Sequence, residues 1–138
     1  MIYVFVYGTL KPGERNYWIC ADRVVKSSPA TVQGRLYHLP LGYPVLTPGG
    51  DPVKGCLLYF RDVTILQILD DYEQHDPTDM EQLYPDLAIE EHQYTRQQLE
   101  VYDSQGQPLG LAWTYTMTPE QVSRLRGKYL ATGEWSAT

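Results

Sequence analysis

The apolar run Ile2–Val6, broken at once by Tyr7-Gly8-Thr9-Leu10, constrains the fold of this chain more than any other stretch. Ile2–Tyr7 is continuous, apolar and rich in β-branched and aromatic residues, the pattern of a strand buried on both faces. It stops at a glycine, which lets the chain turn through dihedrals other residues avoid. Where a strand ladder stops, backbone N–H groups lose their partners, and a concavity lined by such groups holds a carboxylate or an oxyanion. A tight strand-ending turn with no ligand satisfies the same four residues, so the tetrapeptide alone leaves both readings open.

The remaining punctuation predicts an α+β chain. The 138 residues fit one domain, 1–138, long enough to bury a core without staples. The 12 tyrosines and 10 prolines favour strands and turns over a helical bundle. Ala30–His38 alternates and reads as a strand, Leu39–Pro52 reads mostly as loop because of its prolines and glycines, and Val53–Phe60 reads as a strand. Asp62–Glu73 is the clearest helix: Asp62 is a candidate N-cap, and Ile65, Leu66, Ile68, Leu69 and Tyr72 follow helical spacing. Gln74–Gln93 is polar, acidic and carries Pro77 and Pro85, which predicts a long loop. Tyr94–Tyr102 and Leu109–Met117 read as strands joined by a hairpin at Asp103-Ser104-Gln105-Gly106. Thr118-Pro119-Glu120-Gln121 is a capping box that opens a short helix. About six strands and two or three short helices, without strict alternation, predict a small mixed β-barrel, closed or half-closed.

Charge and segment lengths exclude several functions. A formal net charge of −6 argues against nucleic acid as a partner, because phosphate binding needs a basic face. Ile2–Tyr7 is too short for the apolar core of a signal peptide and far too short to span a bilayer, so no membrane role and a cytoplasmic location are expected. Two cysteines, Cys20 and Cys56, make no disulfide framework and are expected as reduced thiols. His38, His75 and His92 are scattered, and no Cys/His group has metal-ligand spacing.

Glu73 is the candidate acid. On a helical wheel it falls between Leu66 and Leu69, so a helix persisting that far projects it from the apolar stripe. Desolvation there, with Asp70 nearby, raises a carboxyl pKa toward the range a general acid/base needs. If the helix stops at Tyr72, Glu73 is instead a solvated terminal residue. Gly8 to Gly13 matches the glycine spacing of a phosphate loop, but Glu14 and Arg15 stand where Lys and Ser/Thr are required, and Pro12 removes an N–H; a nucleotide triphosphate site is rejected. Tyr94 and Arg96 share a strand face. Tyr94 reads as a hydrogen-bond donor to a ligand or a rim aromatic, and Arg96 as the partner of a nearby acid ahead of a carboxylate clamp. Trp113 and Tyr115 read as core residues of their strand, and no Ser/His/Asp or Cys/His grouping is visible.

Taken together, Tyr7-Gly8-Thr9-Leu10-Lys11-Pro12-Gly13 after the opening strand, Leu69-Asp70-Asp71-Tyr72-Glu73, Tyr94-x-Arg96 and the aromatic strand ending at Tyr115 resemble the gamma-glutamyl cyclotransferase-like family. The likeness is closer to the small branch that includes gamma-glutamylamine cyclotransferase. The resemblance implies a mixed barrel with a cavity at one end. It implies Glu73 as general acid/base and a gamma-glutamyl unit held by Tyr7, Gly8, Thr9 and Leu10, with Tyr94 and Tyr115 as further substrate-binding residues. Gln74–Gln93 looks longer than the corresponding family loop, which makes it a candidate lid or leaving-group wall.

The implied reaction is an intramolecular closure of the gamma-glutamyl unit to 5-oxoproline with release of an amine. It calls for a small-molecule gamma-glutamyl substrate, no cofactor and no metal. A non-catalytic binding module with the same fold and pocket is the alternative, and an unrelated small α+β protein whose acidic loop contacts partners is a third. Neither the leaving amine nor the oligomeric state is specified by the sequence.

Overall fold

Strand pairing organises the chain into one six-stranded mixed sheet. The computed structural model describes residues 1–40, 42–72 and 94–135. The strands are β1 (Ile2–Val6), β2 (Val24–His38), β3 (Pro44–Phe60), β4 (Thr95–Tyr102), β5 (Pro108–Thr116) and β6 (Lys128–Tyr129). Helix α1 (Thr64–Tyr72) lies between β3 and β4, helix α2 (Pro119–Arg124) follows β5, and two 3-10 turns, Tyr17–Ile19 and Ala21–Arg23, precede β2. The predicted helical turns between Asn16 and Asp22 are these two. The predicted segment Gln74–Gln93 and the candidate acid Glu73 lie outside the described residues.

The long antiparallel pair β2–β3 is the frame. β1 pairs antiparallel with β3, Val6 opposite Cys56, and β4 pairs antiparallel with β5. Two single bridges bring the sheet round on itself: Val4 meets Trp113 in parallel, and Thr31 meets Tyr102. The expected α+β class and strand number hold, and the arrangement is ring-like.

The expected loop over Leu39–Pro52 is corrected by the structure. Pro44–Phe60 is one strand, despite Pro48, Gly49, Gly50 and Pro52. The register explains this. Gly34 faces Asp51 while the next residue, Arg35, faces Thr47, so residues 48–50 bulge out of the ladder where no N–H is required of Pro48. Local propensity reads a proline–glycine cluster as a break; a β2 partner on both sides of the bulge carries the strand through it.

Alternation along β1 divides the core. Phe5 and Tyr7 pack with Val32, Leu36, Leu46, Leu57, Val101 and Trp135 within the ring. Val4 and Val6 point to the other face, where Leu58, Phe60 and Tyr115 meet Ile65, Leu66 and Leu69 of α1. The apolar stripe predicted for this helix is therefore its buried face, and each large side chain buried there contributes roughly 1.5–3 kcal/mol. Asp62 Oδ1 accepts from Thr64 N at 2.9 Å and starts the helix as its sequence predicts. The capping box is also present: Gln121 N donates to Thr118 Oγ1 at 3.2 Å and Thr118 N to Gln121 Oε1 at 2.9 Å. α2 covers a third cluster of Leu39, Val45, Met117, Val122 and Leu125.

Candidate functional site

The turn after β1 is held by its own carbonyls. Lys11 N donates to Gly8 O and Asn16 N to Thr9 O, both at 3.0 Å. These bonds leave the N–H groups of Gly8, Thr9 and Leu10 uncommitted among the described residues. Gly8 is required here for space. Its φ is not in the left-handed region, and a Cβ built on it would stand 2.7 Å from Pro44 Cγ and 2.9 Å from Pro44 Cδ. The unusual dihedral expected at Gly8 belongs instead to Gly13, at φ 90°.

Each residue of the turn has a separate anchor. The Tyr7 hydroxyl donates to Tyr115 O at 2.5 Å and accepts from Leu46 N at 3.3 Å, which ties β1 to β5 and β3. Thr9 is buried, and its Oγ1 pairs with the Tyr72 hydroxyl, to which Asn16 Nδ2 donates at 2.8 Å. Leu10 turns into the apolar cluster beneath α1 beside Tyr115. Tyr94 donates through its hydroxyl to Pro44 O at 2.7 Å, the same proline that packs on Gly8. Lys11 Nζ reaches Trp135 O at 2.6 Å, so the loop is also fastened to the C-terminal segment.

The last turn of the described part of α1 is fixed from two sides. Tyr72 holds the Thr9 loop. Asp70 Oδ1 accepts from the Tyr115 hydroxyl at 2.6 Å, and its Oδ2 lies 3.1 Å from Arg96 Nη1. That nitrogen is buried and off the line a directed N–H bond needs, so charge more than alignment holds the ion pair. The Arg96 guanidinium also lies over the Trp113 ring, 4.9 Å from its centroid. The pairing of Arg96 with a nearby acid is as expected. Gln67 and Asp71 face solvent on the opposite side and bond each other at 3.0 Å.

Thr9 and Tyr115 are thus held at the last described turn of α1 through Tyr72 and Asp70, Leu10 and Tyr94 lie in the apolar cluster beneath that helix, and Tyr7 and Gly8 join through Tyr115 and Pro44; Glu73 follows Tyr72 in sequence, beyond the described residues. Sequence reasoning did not single out Asn16, Pro44 or Tyr72 as site neighbours. Nothing local marks Pro44, which arrives from β3; Tyr72 was legible in the apolar stripe and in the Leu69–Glu73 motif, but not as the partner of Thr9 and Asn16. Cys20 and Cys56 share the cluster beneath α1. Burial pushes the Cys20 thiol up to about 11 and Cys56 upward as well, so neither is activated as a nucleophile. Among the described residues no group of three or more His, Cys, Asp or Glu is placed to hold a metal, and no helix is long and apolar enough to cross a membrane. A depression of about 310 Å³ between Arg23, Arg61, Asp62 and Ile65 sits at the other end of α1 and contains none of the expected site residues.

Comparison with known proteins bears on this arrangement. The family model described as gamma-glutamyl cyclotransferase, AIG2-like, matches residues 4–137. Gamma-L-glutamyl-butirosin B gamma-glutamyl cyclotransferase of Niallia circulans is 30% identical over 123 residues, covering 89% of this chain and 71% of that protein. Among solved structures, an AIG2-like protein from Mus musculus aligns with a TM-score of 0.66 at 24% identity over 99% of this chain and 88% of the other. YkqA from Bacillus subtilis aligns with a TM-score of 0.63 at 20% identity over 97% of this chain and 39% of that longer one. Likeness at these identities speaks to fold.

Proposed function

This chain belongs to the AIG2-like gamma-glutamyl cyclotransferase family, and from that membership we propose that it cyclises the gamma-glutamyl part of a small gamma-glutamyl amine or amino acid to 5-oxoproline and releases the amine. Family and relative support gamma-glutamyl cyclotransferase activity in general; the product, the substrate class and the residue roles are our reading. The observation that carries it is the Tyr7–Leu10 turn, with uncommitted N–H groups, tied through Thr9 and Tyr72 to the end of α1.

In the proposed reaction the substrate's α-amino nitrogen attacks its own γ-carbonyl carbon. A C–N bond forms within a five-membered lactam, and the bond from the γ-carbon to the leaving nitrogen breaks. The nucleophile is tethered, and proximity contributes on the order of 7–11 kcal/mol at best. Glu73 as carboxylate takes a proton from the attacking amine and passes one to the leaving amine. N–H groups of Gly8, Thr9 and Leu10 hold the substrate carboxylate or the developing oxyanion, where one lost donor costs about 3–4 kcal/mol. Tyr94 and Tyr115 flank the bound gamma-glutamyl unit. The route draws on no cofactor or metal. A cytoplasmic setting agrees with the free thiols of Cys20 and Cys56.

The test is incubation of the purified protein with a panel of gamma-glutamyl amino acids and amines, with 5-oxoproline followed by mass spectrometry and Glu73→Gln run alongside. Product from the wild type and none from a folded Glu73→Gln supports the reading and identifies the amine. Ligand binding with no product from any member of the panel would replace it with the binding-module alternative.

A further inference from the structure

We infer that Trp135 is a positioning residue for the Tyr7–Leu10 turn and that His38 holds it in that role. This rests on the proposed reading that the turn receives the gamma-glutamyl unit, and adds to it what fixes the turn in place. Lys11 leads out of the turn, and its backbone N–H closes the turn on Gly8 O at 3.0 Å. Its Nζ donates to Trp135 O at 2.6 Å. A lysine ammonium rides on a flexible four-carbon stem, so it steadies the backbone behind it only where its acceptor is itself held still.

Trp135 O is such an acceptor. The Trp135 side chain is buried within the ring, in the cluster that contains Phe5, Tyr7 and Leu36. Its Nε1 donates to His38 Nδ1 at 3.0 Å. An indole N–H only donates, so Nδ1 offers its lone pair and the imidazole proton stands on Nε2. Just upstream, Leu130 N donates to Leu36 O at 2.8 Å and Lys54 N to Gly133 O at 2.7 Å, which bind the same segment to β2 and β3. With its ring tied to the end of β2 and its main chain tied to both strands, Trp135 presents its carbonyl to Lys11 at a fixed place.

The turn is therefore held from two sides. Thr9 is bonded to Tyr72 of α1, and Lys11 to Trp135 of the C-terminal segment. These two anchors flank Leu10, so a shift at either one moves the N–H groups proposed to hold the substrate anion. Displacements of about 1 Å in such groups are enough to cost a large part of the rate.

Four substitutions separate positioning from bulk stability. His38→Leu removes the acceptor, whereas His38→Asn keeps one, because Asn Oδ1 stands where Nδ1 stood. Trp135→Phe keeps an aromatic ring without the N–H, and Lys11→Met keeps the stem without the ammonium. Amide exchange is followed by NMR, with the Lys11 and Asn16 N–H groups reporting on the turn and the β2–β3 ladder on the frame. The second readout is kcat/KM for 5-oxoproline formation, measured well below the melting temperature.

His38→Leu, Trp135→Phe and Lys11→Met should each speed exchange at Lys11 and Asn16 by about 5-fold, as for the loss of one hydrogen bond. Exchange in β2–β3 should stay within about 2-fold, and kcat/KM should fall by about 10-fold. His38→Asn should keep both readouts within about 2-fold of wild type. Unchanged turn exchange, equal acceleration of the turn and the β2–β3 frame, faster turn exchange with unchanged kcat/KM, or a His38→Asn that behaves like His38→Leu would each overturn the inference. If His38→Leu does not fold, Trp135→Phe and Lys11→Met decide by the same criteria. A wild type that forms no 5-oxoproline from any gamma-glutamyl compound ends the cyclotransferase reading, and the exchange pattern alone then upholds or overturns the positioning of the turn. Turnover by wild type without the exchange pattern leaves that reading standing and ends this inference.

Discussion

The hydroxyl of Tyr72, in the last turn of the described part of α1, is paired with Oγ1 of Thr9 in the turn after β1. Sixty-three positions of sequence separate the two residues. The contact joins the N–H groups proposed to hold a ligand anion to the helix that leads to the proposed acid, and Asn16 Nδ2 completes it at 2.8 Å. The most direct prediction concerns this joint. Tyr72→Phe leaves Thr9 and Asn16 without their shared partner in a part-buried site. A loss of about 1–2 kcal/mol is expected, with a fall in Tm of about 3–8 °C. Thr9→Val should lose a similar amount, and the double variant less than the sum; thermal denaturation of all three checks this.

Gly8→Ala tests whether space or backbone freedom fixes the glycine. The added Cβ meets Pro44 at 2.7 Å and 2.9 Å, so either the turn or the proline must move. Turnover should fall at least about 10-fold as the N–H groups shift from their geometry. Pro44→Ala in the Gly8→Ala background should restore part of it, because it removes the ring the methyl strikes. Kinetics of the single and double variants read the outcome; no rescue would locate the requirement in the backbone instead.

Glu73→Gln should lower kcat by 10³-fold or more, on the order expected where one group moves both protons, with Tm unchanged within about 2 °C. Stopped assays for 5-oxoproline and a melting curve on the same sample check both halves. A variant that keeps most of its activity would remove Glu73 from the mechanism.

Stability should fall at alkaline pH, and Cys20 gives the sign. Burial holds its thiol protonated in the native state up to about pH 11, against an ordinary value of 9.0 for the exposed chain. The contribution is fully present below pH 9 and is lost as pH rises toward 11, because there the unfolded state releases a proton that the native state retains. Cys56 shifts in the same direction. Urea titrations at pH 8 and pH 10.5 should show the decline, and Cys20→Ala or Cys20→Ser should flatten it. At pH 8 a thiol reagent should modify Cys20 only after denaturant is added, since the residue is fully buried.

Much of the framework was legible where the signal is local. The apolar spacing of Ile65, Leu66 and Leu69 fixed the buried face of α1. The capping box at Thr118 and Gln121 formed as written, and Asp103 Oδ1 accepts from Gln105 N and Gln107 N at 2.9 Å to close the expected hairpin with Gly106 at φ 82°. The stretch from Thr47 to Pro52 is strand where its residues predict loop, for an equally physical reason. Proline and glycine propensities describe an isolated chain, whereas β2 supplies partners on both sides of the bulge.

The sequence by itself determined which segments could be strands or helices and which residue types met the needs of an anion-holding turn followed by a helix-end acid. Periodicity, caps and turn chemistry are properties of neighbouring residues and survive without a fold. Only the tertiary structure decided what each polar side chain faces. It committed the Tyr7 hydroxyl to Tyr115 and Leu46, placed Pro44 against Gly8, and set Asp70 between Tyr115 and Arg96. Those contacts join residues dozens of positions apart, and their partners are chosen by sheet register and by the seat of α1 on β5, quantities that no local pattern encodes.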